Sequence, residues 1–166
     1  MRAGEIVLRD TDVKVGAGVY LSRQLYNKGY LQQALDVLPY LKAVRKVVGL
    51  KKSAIVRLCS IRAGDEGYCY DNGQDVEINL PVMRSFQHLL ESITHELVHC
   101  RQFQNRELLQ VLGQDIWKGK PYNRRSTSYR SYRRQPWEAE AFKLEKPLAK
   151  KAFHIVALKQ RAKKSS

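Results

Sequence analysis

The chain has little of what marks several large classes of protein. Among 166 residues there are three cysteines, Cys59, Cys69 and Cys100. The count is odd and no pair is spaced C-x-x-C, which excludes a disulfide framework and a zinc ribbon and leaves three reduced thiols as the expectation. No apolar run approaches the roughly 20 residues that a membrane-crossing helix needs. The opening Met1-Arg2-Ala3-Gly4-Glu5-Ile6 leads into no apolar signal-peptide core, so a cytoplasmic location is expected. Acidic residues are scarce too, with 16 Asp and Glu against 30 Lys and Arg and a formal net charge of +14.

What remains is an ordinary globular composition, 43% hydrophobic and 28% charged, and a length that suits one domain. The positive charge is uneven. From Arg101 to Ser166 there are 17 Lys and Arg against 5 Asp and Glu. Such a surface attracts polyanions, and the Arg/Lys-rich stretch 118–164 is the candidate contact for nucleic acid or an acidic protein. The simpler alternative is a solvated basic face that promotes solubility.

Only four histidines occur, and two of them lie in Thr94-His95-Glu96-Leu97-Val98-His99-Cys100. This is H-E-x-x-H inside an apolar stretch with helical period. Residues four apart on a helix share one face, so His95 and His99 can aim two imidazoles at one metal ion, for which zinc is well suited. Glu96 then lies beside the open coordination position, where a general base is needed. Cys100 points about 100° away from His99 around the helix and is not expected to be a ligand. His88 lies about two turns from His95, so it is expected to be hydrogen-bonded or exposed.

Along the chain, residues 1–18 read as a lead-in with a short strand at Ile6-Val7-Leu8. From Tyr20 to Val48 the apolar period is helical, with a break at Gly29 and a kink or break expected at Pro39. Three strands follow over 54–80: Ala54 to Ile61, Tyr68 to Tyr70, and the alternating Asp75 to Leu80, with a hairpin-type turn at Asn72-Gly73. A small, mostly antiparallel sheet is expected. Helical period returns from Ser85 to about Val111. Leu89, Leu90, Ile93, Leu97, Val98 and Phe103 form its core face, while His95, His99 and Gln102 fall near one stripe on the other side. Residues 113–135 form a long basic and aromatic connection in which 117–122 suits a tight hairpin. Pro136 opens a last helix, 136–158, where Pro147 is expected to bend or split it, and 159–166 is a basic tail. The expected fold class is α+β: N-terminal helices, a three-stranded sheet, the motif helix and a C-terminal helix.

Catalytic zinc usually has three protein ligands. Downstream of His99 the candidates are His154, Glu138 and Glu140. The two glutamates are two apart, so only one can reach the metal. Glu138 shares its face with Ala141, Phe142 and Glu145, and a small alanine lets two helices approach closely.

His95-Glu96-Leu97-Val98-His99 followed by Gln135-Pro136-Trp137-Glu138-Ala139-Glu140-Ala141 resembles the small phage and bacterial zinc metallopeptidases of the gluzincin clan, the minigluzincins, loosely grouped as SprT-like. The resemblance covers about residues 74–145 and includes the P-x-E-x-E-A motif, whose first glutamate is the third zinc ligand. It therefore implies a zincin-like fold, a Zn2+ site of His95, His99 and Glu138, and Glu96 as general base in peptide hydrolysis. It also implies a protein or peptide substrate, paired to the strand Asp75 to Leu80 as a cleft edge, and a phage origin in a host cytoplasm or virion. True SprT and Spartan proteins use a third histidine and often a zinc ribbon, which this sequence lacks. Tyr132 or Tyr129, from the 113–135 connection, is expected to stabilise the oxyanion. The alternative expectation is a virion or accessory protein that retains the fold structurally and binds DNA or an acidic partner.

Overall fold

The computed structural model describes residues 8–62, 64–122 and 128–165. The class is α+β, with a five-stranded sheet, a separate three-stranded sheet and helices packed against both. Residues 6 and 7 of the expected first strand lie outside the described residues, and Leu8 is in no strand.

The chain begins with β1 (Val13–Gly16) and β2 (Val19–Leu21), an antiparallel pair. Helix therefore does not start at Tyr20. Val19 and Leu21 alternate into the core around a half-buried Tyr20, and the helical path starts only at Ser22, whose Oγ accepts from the Leu25 amide and caps α1 (Arg23–Asn27). A longer helix, α2 (Leu31–Val48), follows and ends on Gly49 at φ 81°. Pro39 does not break it. Pro39 and Leu35, whose carbonyl loses its partner, are both on the water-facing side, where solvent replaces the missing bond.

β3 (Ile55–Cys59), β4 (Gly67–Cys69) and β5 (Asp75–Asn79) follow. The sheet order is β1-β2-β3-β5-β4. The β2/β3 and β3/β5 pairs are parallel and the other two antiparallel. The sheet is thus larger and more mixed than a three-stranded antiparallel meander. A parallel β2/β3 pair needs a crossover, which α1 and α2 supply. β5 is interior, and the edge strand is β4, because the turn through Asn72 and Gly73 folds β4 back onto the outer side of β5. Asn72 Oδ1 accepts from the Gln74 and Asp75 amides. Gly73 sits at φ 65°, where a Cβ would come within 2.9 Å of Phe103 Cβ.

After a single 3-10 turn, α3 (Phe86–Gln104) runs through the middle of the molecule. Ser85 caps its start by accepting from the His88 amide. Its end is seven residues earlier than the apolar period suggests. Asn105 caps the helix, Arg106 takes φ 58°, and the chain turns into β6 (Leu108–Val111). β6, β7 (Gln114–Trp117) and β8 (Lys120–Tyr122) form an antiparallel sheet. Its two hairpin turns, Leu112-Gly113 and Lys118-Gly119, have positive φ at both central residues, the type I′ geometry that fits strand twist. The 117–122 hairpin is as expected, but the connection as a whole carries regular structure. Residues 123–127 lie outside the described ones.

A one-turn helix, α4 (Tyr129–Arg133), leads into α5 (Pro136–Lys164). Pro147 does not split α5; Pro147 and Lys143, whose carbonyl it leaves unpaired, are both exposed. One apolar cluster runs from Val19 through Ile93 and Leu97 to Trp137, Ala141 and Val156. All three cysteines are buried free thiols, and Cys69 Sγ on β4 lies 3.3 Å from Cys100 Sγ on α3. No helix among the described residues is long and apolar enough to cross a membrane.

Candidate metal centre

α3 is buried on nearly every face, because β4 and β5, α2 and α5 surround it. It carries His95, 7% exposed, and His99, 1% exposed, one turn apart. The start of α5 brings the third group. Trp137 is fully buried, with its ring centroid 6.4 Å from that of Trp117 on β7 and 5.7 Å from that of Tyr122 on β8. The three-stranded sheet therefore anchors the first turn of α5, and the next residue, Glu138, is fully buried against α3. Ala141, with no exposure, leaves the room for this approach.

His95 Nε2, His99 Nε2 and Glu138 Oε2 form a triangle. The separations are 3.2 Å between the imidazole nitrogens and 3.2 and 3.3 Å from each to the carboxylate oxygen. A tetrahedron with bonds of about 2.0–2.1 Å, the usual zinc–nitrogen and zinc–oxygen lengths, has edges of about 3.3–3.4 Å. The three atoms match three of its corners. They are the one group of three or more metal-capable side chains among the described residues.

The hydrogen bonds behind the triangle settle which atoms face inward. His95 Nδ1 is 2.9 Å from Glu145 Oε2. His99 Nδ1 is 2.8 Å from Gln102 Oε1. Gln102 is oriented by its own amide, which donates to Trp137 O and to Glu140 Oε2, so its oxygen must accept. An ionised Glu145 can only accept. Both histidines therefore donate from Nδ1, and in their neutral forms both turn an Nε2 lone pair toward the carboxylate oxygen. Three buried lone pairs converge on one point, which is unfavourable without a cation or a proton between them. Glu138 Oε1 is also buried and accepts no hydrogen bond. Without a metal, a proton on His95 is the favoured way to relieve this convergence. Burial disfavours the charged His95 ring, but Glu138 and Glu145 override it and push its pKa up to about 10. Burial likewise opposes ionisation of Glu138, yet the two imidazoles hold its carboxyl well below the usual range.

The triangle opens on a cleft of about 830 Å³. Glu96, 8% exposed, lies in its wall. Gly67 of the edge strand β4 allows that placement, since a Cβ there would come within 2.9 Å of the Glu77 carbonyl oxygen and 3.0 Å of Glu96 Cγ. Tyr132 lines the cleft close to Glu138 and Glu96. Burial and those two negative charges keep its phenol protonated to well above the ordinary pH of tyrosine ionisation. Tyr129 also borders the cleft but is 69% exposed and stacks against Tyr132. Glu140 is not in the triangle; it pairs with Arg101 and Gln102 and so supports His99 from behind. His88 contacts Glu66 and the Arg84 amide, and His154 is exposed on the outer half of α5.

Glu145 and Gln102, which contact the two imidazoles from behind, lie outside both motifs. Their sequence signal is periodicity alone: Gln102 is three residues from His99, and Glu145 is two turns from Glu138. Comparison with models of protein families, with characterised proteins and with solved structures finds no match to this chain. What the fold and site define is therefore a class: an α+β protein with a buried His-His-Glu group able to hold a metal ion.

Proposed function

We propose that this chain is a zinc-dependent peptidase of gluzincin type. The observation that carries the reading is the meeting of three ligand lone pairs with an unligated glutamate, Glu96, at the wall of one open cleft. A purely structural metal site closes its coordination sphere and has no use for a carboxylate beside it. His95, His99 and Glu138 would hold the ion, and two nitrogens with one oxygen suit zinc. When bound, zinc supplies Lewis acidity, which acidifies a water and polarises a carbonyl.

The chain's own residues do the rest. Glu96 accepts the proton of the attacking water and returns it to the departing amine, so it must be ionised at the start. Tyr132, kept protonated, donates a hydrogen bond to the oxygen that gains charge as the carbonyl becomes tetrahedral. Glu145 and Gln102 fix the rings of His95 and His99, so neither rotates away as charge develops. The edge strand β4 borders the cleft, and an extended peptide laid beside it would be held by main-chain pairing.

A second reading has its own observation. From Lys146 to Lys164 α5 carries seven Lys and Arg and no Asp or Glu. That face suits a polyanion, whether nucleic acid or an acidic protein, and a phage accessory protein that retains the fold would use it so.

The test starts with the metal content of protein purified without added metal. About one zinc per chain, clearly reduced in Glu138→Ala, supports the three-ligand site. Cleavage of an unfolded protein substrate by the wild type and not by Glu96→Gln then supports the activity. If no zinc is present and none is taken up on titration, the peptidase reading fails and the basic face of α5 becomes the better guide.

A further inference from the structure

The charges along the cleft are not equally satisfied. Apart from Glu96, its carboxylates are hydrogen-bonded within the chain: Glu66 with His88 and Ser92, Asp65 with the Tyr68 hydroxyl, Glu91 with Gln87 and Glu145 with His95. Its cations are not. Arg84, Arg133 and Lys146 line the same cleft, and among the described residues none of their charged groups has an ion pair or a hydrogen bond. Arg84, Arg133 and Lys146 are therefore the cations of the cleft that an anionic group of a substrate can meet.

Arg133 is the best placed of the three. Its guanidinium carbon lies 4.2 Å from the centre of the Phe142 ring and 5.9 Å from that of Tyr129. The Phe142 ring in turn meets the His95 ring, centroid to centroid, at 4.6 Å. The guanidinium is thus within about 9 Å of the first ligand's ring, the reach of two to three extended peptide residues. Aromatic stacking steadies a guanidinium and leaves its N–H fork free. The free fork matches a carboxylate, which accepts two parallel hydrogen bonds.

We propose that Arg133, flanked by Lys146 and Arg84, forms a carboxylate-recognition subsite within three residues of the scissile bond. The preferred substrate is then a peptide that carries a carboxylate there, either on an acidic side chain or as the free C-terminus. The proposal rests on the peptidase reading for its position in the substrate, but the recognition chemistry is that of the Arg133 guanidinium and does not depend on turnover.

The experiment uses the zinc-loaded full chain and matched peptides around one cleavable bond. One series places Glu or Gln at each nearby position with amidated ends, and a second ends at the same positions with a free or an amidated C-terminus. The same peptides, fluorescently labelled, are bound to zinc-loaded Glu96→Gln, with and without Arg133→Met, so that recognition is read without turnover. The expected preference for the carboxylate form is about 10- to 100-fold in kcat/KM and in affinity, the usual scale of a charge-assisted hydrogen bond. The ratio should fall toward one in Arg133→Met and be partly kept in Arg133→Lys, at equal zinc content. Preference for internal Glu identifies a side-chain carboxylate, and preference for the free end identifies a terminal one. Equal cutting and binding of carboxylate and neutral peptides overturns the subsite while leaving the peptidase reading intact, and so does a preference that survives Arg133→Met. Carboxylate-dependent binding that needs Arg133, without cleavage of any peptide, supports the subsite and counts against the peptidase reading.

Discussion

Without a metal the His-His-Glu group should hold a proton between its ligand atoms, and this can be measured directly. His95 is 7% exposed and its two nitrogens each face a glutamate oxygen, Glu138 at 3.2 Å and Glu145 at 2.9 Å. Those contacts push its pKa up to about 10, from an ordinary 6.5. At pH 7 the ring is then mostly protonated, and a metal must displace that proton. The displacement costs on the order of a few kcal/mol at pH 7, from about 1.4 kcal/mol for each unit by which the pKa exceeds the pH. Apparent zinc affinity should accordingly rise about tenfold or more per unit between pH 7 and pH 9. The assay is histidine side-chain NMR of the metal-free protein from pH 5 to pH 11, with zinc competition against a chelator across the same range. Glu145→Gln removes one of the two carboxylates and should bring the His95 titration down. The stability sign follows: a pKa raised in the folded state adds stability that is complete below about 6.5 and is lost as the pH climbs through about 10. The metal-free protein should therefore lose stability toward alkaline pH. A His95 that titrates near its ordinary value in the metal-free protein refutes the convergent-lone-pair geometry on which the site rests.

Other expectations follow from the same contacts. On the peptidase reading, Glu96→Gln should keep zinc and lose peptide hydrolysis by about 100- to 10,000-fold, the usual worth of a positioned general base; metal analysis beside a turnover assay checks both. Measured at a pH where no proton on His95 competes, Glu145→Gln should weaken zinc binding by about 10- to 100-fold, as loss of an orienting carboxylate behind a histidine ligand does. Gly67→Ala forces a Cβ to within 3.0 Å of Glu96 Cγ, so activity should fall while zinc content stays near wild type, and retained activity would show that β4 yields. Trp137→Ala empties a fully buried site beneath Glu138. It should cost about 3–5 kcal/mol in denaturant unfolding, and any variant that still folds should bind zinc less tightly, because the first turn of α5 loses its anchor.

Local pattern carried much of this reading and failed in identifiable places. The α3 register was legible because the i, i+4 histidines and the apolar stripe repeat within one element. The end of α3 was not, since Leu108, Leu109 and Val111 continue the helical period while Arg106 takes a left-handed conformation that no composition rule signals for arginine. Pro39 and Pro147 looked like breaks, but their consequence depends on whether the freed carbonyl faces water, which is a matter of packing. The strand over Val19–Leu21 is three residues long, too short for period to separate it from the helical stretch behind it.

By itself, then, the sequence determined the α+β class, the absence of any disulfide scaffold, the basic second half and the two histidines on one helical face. Each depends on composition or on spacing within a single element. Tertiary structure decided that Glu138 completes a triangle with both imidazoles, and that Glu140 stands behind Gln102. It decided that β4, rather than β5, edges the cleft, and that Glu145 holds His95. The contacts of His95 join residues 43 and 50 apart in the chain, and all of these arrangements are set between elements, by the Trp137 anchor and by strand order. Spacing along one helix cannot encode how closely another helix will approach it; only the packing between them does.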